Sequence, residues 1–493
     1  MKKISKIYIP AIVLMIIIGG CKKDYLETAP TNAVPEAQIY ETATSINSAL
    51  EGAFKAIYAV GPNARHDNFG QKSVDLEMDL AGEDMVVHLA GYGWFNRSYQ
   101  YAEWTLIESV NNRTDAAWLF YYDLVKQANA LLGVIEGAKG AQVEKDRIKG
   151  ELLGLRAYAY YYLINLYQQT YKGNETKPGV PIYTSPGAFE GKPRGTVKDV
   201  YDLIIADLTQ AETLLTGKAT SSKVHFSEKV IQGFRARVAL VMEDWPTAAT
   251  YSKKAYTGFS LMSNTLYQAG FSQISNPEWM WGSFIDGPQA TIYASFFSHI
   301  DVATGGYASL GTQKKITKNL YDQINDDDVR KLTFRKPGTG TSSNPDYNQT
   351  KLHVPVPGNW AADYVYMRAA EMYLIEAEAL ARQARDAEAR ATLENLVKAR
   401  YPAYSAASFS GTALLNEILL QRRIELWGEG FSLLDIKRLK TGLNRPTGPG
   451  NHGSPSLDPV VYTLPDADPK MIYRIPRREM DNNTSLTPAD QNP

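Results

Sequence analysis

Apolar residues return every three or four positions over residues 36–59, at Ile39, Ala43, Ile46, Leu50, Phe54 and Ile57. That spacing predicts a helix with one buried stripe, and Pro35 and Glu36 suit its first turn. Residues 114–136 repeat the pattern through Trp118, Tyr122, Val125, Leu132 and Ile135. In residues 150–171, Leu155, Ala159, Tyr162 and Leu166 form one stripe while Tyr160, Ile164 and Tyr167 carry apolar surface onto another. A helix apolar on most sides belongs at the centre of its domain. Arg156 lies inside it, so a buried carboxylate partner is expected, because an unpaired buried charge is costly.

Two later stretches read as helix, turn, helix. Residues 236–257 turn at Glu243–Pro246, and residues 377–401 turn near Arg385–Asp386. Both place alanines where helices would cross, as tetratricopeptide-type hairpins do, although the strict repeat signature is absent. Plain helix-forming composition is the less favoured alternative source of those alanines. Residues 258–360 and 442–470 lack helical period and are rich in Gly, Ser, Asn, Pro and aromatics. The expected fold is mainly α: a tetratricopeptide-like helical-hairpin scaffold with long loop-rich insertions containing short strands. Long ordered loops on a rigid frame are where binding residues concentrate.

The N-terminus changes the picture. Lys2, Lys3 and Lys6 precede an apolar run, Ile7–Ile18, then Gly19, Gly20 and Cys21, the only cysteine of 493 residues. The run falls short of the ~20 residues a membrane-spanning helix needs, and the layout is that of a secretory signal. Ile-Gly-Gly-Cys resembles a bacterial lipobox, in which the cysteine is lipidated. Two or more acyl chains make a stable anchor. The expected organisation is a signal peptide at 1–20, a lipidated tether at 21–34 and one domain at 35–493, with its loop-rich insertion at about 258–360. Loss of residues 1–20 removes three lysines and no acid, taking the formal charge from −1 to −4. A mildly acidic surface argues against nucleic acid as a partner. With Cys21 committed to lipid, no thiol remains for disulfides or catalysis.

Catalytic signatures are missing: no Gly-x-Ser-x-Gly, no Walker loop, no His-Glu-x-x-His. The histidines at 66, 88, 225, 299, 353 and 452 lack metal-ligand spacing. The acids of Asn325–Lys331 read as a helix N-terminus, with a calcium site as the less favoured alternative because the loop lacks the alternating ligands and glycine of an EF-hand, and Asp466–Pro469 as a turn. Arg422, Arg423, Glu425 and Glu429 read as intramolecular ion pairs that fix helix geometry rather than as an acid–base set, with Gly428 and Gly430 allowing a sharp bend between two helices. No cofactor and no metal are expected.

Aromatic residues are the positive signal. Residues 92–104 hold six aromatics in 13 positions, and residues 279–297 hold six in 19, both interleaved with polar groups. Sugar rings present C–H faces that stack on Trp and Tyr and hydroxyls that need polar partners at the rim. The expected platforms are Trp94 and Trp281, with Asn96, Arg97, Tyr99, Asp286 and Tyr293 as polar or edge contacts. Asp79, Glu83 and Asp84 are weaker choices, since their loop could equally cap the following helix.

Four segments together resemble the SusD/RagB lipoproteins of the Bacteroidetes outer membrane: LRAYAYYYLINLYQQTY at 155–171, DYVYMRAAEMYLIEAEALAR at 363–382, LLQRRIELWGEGFSLLDIKRLKTG at 419–442, and YRIPRREMDNNTSLTPADQNP at the C-terminus. The resemblance implies a surface glycan-binding lipoprotein, anchored in the outer membrane and facing the cell exterior, that works with a SusC-like TonB-dependent transporter. Its ligand residues would lie in variable loops from about the two aromatic regions. It implies a binding protein rather than an enzyme. Competing readings are a peptide- or glycoprotein-binding member of the same transport system, a surface glycoside hydrolase with two carboxylates ~5–9.5 Å apart, and a pure protein-binding scaffold. The C-terminal IPRREMDNN is expected to be a strand-like tail packed on the body.

Overall fold

The computed structural model describes residues 40–61, 65–102, 112–187, 190–218, 220, 222–453, 455–457 and 460–493. The signal segment, Cys21, the tether, Pro35 and Glu36 lie outside the described residues, as does Trp104.

The long helices are α1 (Ala43–Ala56), α2 (Gln71–Leu80), α3 (Arg113–Leu132), α4 (Gln142–Tyr167), α5 (Val197–Leu215), α6 (Glu228–Met242), α7 (Trp245–Tyr256), α8 (Ala369–Arg382), α9 (Asp386–Val397), α10 (Gly411–Glu425) and α11 (Ser432–Leu439). Neighbours in sequence are neighbours in space: α3 packs on α4, α4 on α5, α5 on α6, α6 on α7 and α8 on α9, while α7 closes against α8 across the long insertion. The structure is mainly α, and no described helix is long and apolar enough to cross a membrane.

Local chemistry sets the boundaries. The backbone N–H of Ser45 donates to the Thr42 side chain at 3.1 Å, which starts α1 later than its apolar period suggests. Thr196 and Asp199 form a capping box at the head of α5. The tight α6–α7 turn uses Glu243 in the left-handed region and Asp244 as the cap of α7. Helix α4 is buried on nearly every side over its last five turns. Its Arg156 donates to both carboxylate oxygens of Asp207 on α5, at 2.8 and 2.7 Å, which satisfies the charge within the scaffold.

Among the described residues the strands are short and occur as four antiparallel pairs: β1 (Met85–Val87) with β5 (Lys314–Ile316), β2 (Pro178–Pro181) with β3 (Arg194–Thr196), β4 (Trp279–Ser283) with β6 (Tyr364–Arg368), and β7 (Leu443–Asn444) with β8 (Thr463–Leu464). The insertion also carries helical turns at Asn264–Tyr267, Phe296–Ile300 and Lys318–Tyr321, which its composition did not signal.

Beneath the β4–β6 pair lies a buried ionic network. Glu425 of α10 accepts from Arg330, Arg368 and Arg400, while Glu278 bridges Arg368 and Arg400. Glu429 meets Arg368 and Lys351. Arg422 pairs with Asp435 and Arg423 with Asp84. The charged motif at 422–429 is therefore structural. Two expectations are corrected. The acids at 326–328 cap no helix; Asp326 pairs with Lys331 and Asp328 with Arg330. The C-terminal tail is a short helix, Arg477–Asn482, entered from Pro476 as its N-cap, then a 3-10 turn. Asn492 pins the tail by donating to the carbonyls of Tyr167 and Tyr473, both at 2.7 Å.

Candidate functional site

Pairing of β1 with β5, in the register Met85↔Ile316 and Val87↔Lys314, lays the loop after β1 beside the loop before β5. The N–H of His88 continues the ladder by donating to Gln313 O at 2.9 Å. Close approach explains Gly91: a Cβ there would lie 2.3 Å from Thr312 Cγ2. Beyond it the backbone turns through left-handed positions at Gly93 and Phe95. A short helix, Asn96–Tyr99, is then pinned on three sides. Asn96 Nδ2 donates to Ala90 O at 2.8 Å, Ser98 Oγ to Glu77 at 2.6 Å, and the Tyr99 hydroxyl meets His452 Nδ1 at 2.5 Å. The turn sorts its rings. Phe95 packs inward against Phe69 and His299 under the Arg113 guanidinium, while Tyr92 is exposed and Trp94 half-buried.

The opposite side comes from the chain leaving β4. Asp363 fixes the exit by accepting from the N–H groups of Ile274 and Ile285 at 2.8 and 2.9 Å. The chain reaches exposed Tyr293 and re-enters the body at Phe296, whose N–H donates to the Tyr364 hydroxyl at 3.0 Å.

The two loops converge on Tyr307. Its ring lies 5.3 Å from Tyr92, 5.9 Å from Trp94, 5.4 Å from Tyr293 and 5.1 Å from His299, centroid to centroid. Its hydroxyl is 2.6 Å from His66 Nδ1. His66 stacks on Tyr293 at 5.8 Å with planes 12° apart, and lies 5.5 Å from Trp94. The Arg65 guanidinium sits 5.9 Å from the Trp94 ring and pairs with Asp67 at 2.7 Å. Below, His299 Nε2 donates to His66 O at 2.8 Å. Burial, with Lys314 nearby, pushes the His299 imidazole down to about 3, so it stays neutral. Tyr92 is 66% exposed and Tyr293 44%. The result is a shelf of Tyr92, Trp94, His66 and Tyr293 backed by a buried Tyr307. Such a surface offers ring faces for stacking and polar edges for hydrogen bonding.

Of the residues expected from sequence, Trp94 and Tyr293 come together on this shelf. Arg97 is exposed on the short helix that follows Trp94. Three expectations are corrected. Trp281, 1% exposed, is wedged among Tyr158, Phe226, Phe234 and Tyr366 with its indole N–H donating to Val224 O, so it is core rather than platform. Tyr99 is buried under Arg445. Asn96 is buried as the brace of its turn. Asp286 is half-buried and caps a 3-10 turn in a capping box with Gln289.

The acidic candidates gather elsewhere. Asp79 is buried and accepts from the N–H groups of Gly430 and Ser432 at 2.9 and 3.2 Å, while burial pushes its carboxyl up to about 7. Asp84 pairs with Arg423 at 2.6 Å, and Glu83 accepts from Asn444 N–H at 2.7 Å. They organise the start of α11 and the β7 turn. Sequence reasoning did not select His66 or Tyr307, which have no periodic or motif context. Tyr92 lay within the first aromatic cluster and was passed over for its tryptophan.

Two family profiles match this chain. One, described as starch-binding and associating with the outer membrane, covers residues 24–240, and the other, described as the SusD family, covers residues 350–493. A SusD-like carbohydrate binding protein from Bacteroides vulgatus ATCC 8482 superposes with a TM-score of 0.80 at 28% identity, over 92% of this chain and 98% of that one. Surface glycan-binding protein A from Bacteroides thetaiotaomicron shares the fold, with a TM-score of 0.71 at 17% identity over 92% and 99%. A SusD-like protein of Formosa agariphila is 23% identical over 89% of this chain and 92% of its own length. The matched profiles and the shared helical scaffold identify the chain as a member of the SusD/RagB family.

Proposed function

We propose that this protein is a non-catalytic, lipid-anchored glycan-binding protein of the outer-membrane surface, which captures oligosaccharide and delivers it to a SusC-like TonB-dependent transporter. One observation carries the binding reading. Rings from three separate segments, Trp94 with Tyr92, Tyr293, and His66, meet on an open surface over the buried Tyr307. Stacking area with hydrogen-bonding edges matches the alternating C–H faces and hydroxyls of a sugar chain. Family membership and the carbohydrate-binding relative support the ligand class. The lipobox-like Ile18–Cys21 supports the anchor, with Cys21 as the lipidated residue. Family membership supports the transporter partner and the delivery role.

The test is calorimetric titration of the chain starting after Cys21 against a panel of polysaccharides, with sugar release followed over the same period. Saturable binding to a glycan that is lost in Trp94→Ala and Tyr293→Ala, without release of reducing sugar, is the expected result. Binding that both variants retain would place the site elsewhere, and sugar release would overturn the non-catalytic role.

A further inference from the structure

A cleft of about 730 Å³ opens between α10, α11 and the Asp79–Met85 turn and shares no residue with the aromatic shelf. Its size is that of a pocket able to take several side chains. Phe409, Leu419, Leu420, Phe431 and Leu439 line it and are all half-buried, so apolar surface stays open at a place where the core beneath is already closed.

The charges around this apolar floor are unbalanced. Both lining arginines are engaged internally, Arg422 with Asp435 at 2.7 Å and Arg423 with Asp84 at 2.6 Å. Glu83 and Glu417 also line the cleft, and among the described residues neither forms an ion pair. The Glu83 carboxylate accepts from Asn444 N–H at 2.7 Å, and that of Glu417 from the Tyr404 hydroxyl and the Gln421 amide, both at 2.8 Å. Burial raises the Glu83 carboxyl above its ordinary range and Asp84 adds to the effect, which the Asn444 N–H, Arg423 and Arg445 offset only in part. An arriving cation would relieve that cost. An occupant complementary to the cleft is therefore apolar along its body and positive at one or two points.

We propose that this cleft is a docking site for a segment of a partner protein that carries apolar side chains and at least one lysine or arginine. Leu420, Phe431 and Leu439 would take its apolar side chains, as helix-in-groove recognition does. Glu83 and Glu417 would select its basic ones.

Three synthetic peptides test this. They share one amphipathic framework of leucine, phenylalanine and alanine, and their polar positions are all lysine, all glutamine or all glutamate. Each is titrated into the chain starting after Cys21, at low and high salt. The lysine peptide is expected to bind saturably, to weaken as salt rises, and to outbind the glutamate peptide. The double change Glu83→Gln with Glu417→Gln should weaken it about tenfold, with the glutamine peptide little affected. Asn416 is exposed at the rim, so Asn416→Lys should weaken the lysine peptide without touching any internal contact. Trp94→Ala should leave peptide binding unchanged, which separates this cleft from the shelf. Equal binding of lysine and glutamate peptides, unchanged affinity in both sets of cleft variants, absence of saturation, or displacement by a glycan that binds the shelf would each overturn the proposal.

Discussion

Arg368 on β6 and Glu429 just beyond α10 form a two-pronged ion pair, at 2.7 and 2.8 Å, with both side chains buried. The pair ties the β-paired insertion to the helical scaffold, and the same guanidinium also reaches Glu278 and Glu425. Removing one partner of such a network leaves an uncompensated charge in a poorly solvated place. Arg368→Leu should cost about 3–5 kcal/mol of folding stability, read from urea unfolding midpoints. A loss near zero would mean that water reaches these groups.

The same pair predicts an acid limb. Burial alone would raise the Glu429 carboxyl, but Arg368 and Lys351 outweigh it and hold it down to about 2. A depressed acid stabilises the fold above its ordinary unfolded value of 4.5, and that contribution is lost as pH falls toward 2. Stability of the wild type should drop over this window. Glu429→Gln should be less stable near neutral pH and show a shallower acid slope.

Asp79 has the opposite sign. Burial pushes its carboxyl up from 3.8 to about 7, so between these values the folded state holds a proton that the unfolded chain has lost. Stability from this group is full at low pH and declines as pH rises through that window. Asp79→Asn should flatten the decline, seen as a smaller difference in unfolding midpoint between about pH 5 and about pH 8. An unchanged slope would contradict the assignment.

Gly430 lies at φ 90°, and a Cβ built there would sit 2.6 Å from Asp75 Cβ. Gly430→Ala combines backbone strain with a clash against α2, and a loss of about 1–3 kcal/mol is expected from the strain alone. A thermal melt comparing it with Gly52→Ala separates the cause. Gly52 is helical with open space around its Cβ position, so its substitution should be neutral to mildly stabilising.

Much of the scaffold was legible because helices repeat: the stripes of α1, α3 and α4, the Glu243–Pro246 turn, and the need of Arg156 for a carboxylate all follow from local pattern and the cost of buried charge. The shelf was legible only by region. Trp94 and Trp281 sit in equally aromatic stretches, yet β4 turns Trp281 into the core while the left-handed turn at Gly93 and Phe95 leaves Trp94 half-buried at its edge. Which ring faces inward depends on strand register and on backbone conformation at a few residues, and composition carries neither. His66 and Tyr307 come from loops without period, and long-range contacts such as the β1–β5 pairing and the His299–His66 hydrogen bond bring these segments together. In sequence the acids at 79–84 fit hydroxyl recognition and helix capping equally, because nothing there places α11 and Arg423 beside them.

The most direct test of the central claim compares Trp94→Ala with Trp281→Ala, measuring glycan affinity by calorimetry and stability by urea unfolding on the same samples. Trp94→Ala should weaken binding about tenfold or more while changing stability little. Trp281→Ala should cost about 3–5 kcal/mol of stability while the folded fraction keeps its affinity. The reverse pattern, with affinity carried by Trp281 and untouched by Trp94, would contradict the assignment of the shelf as the glycan site.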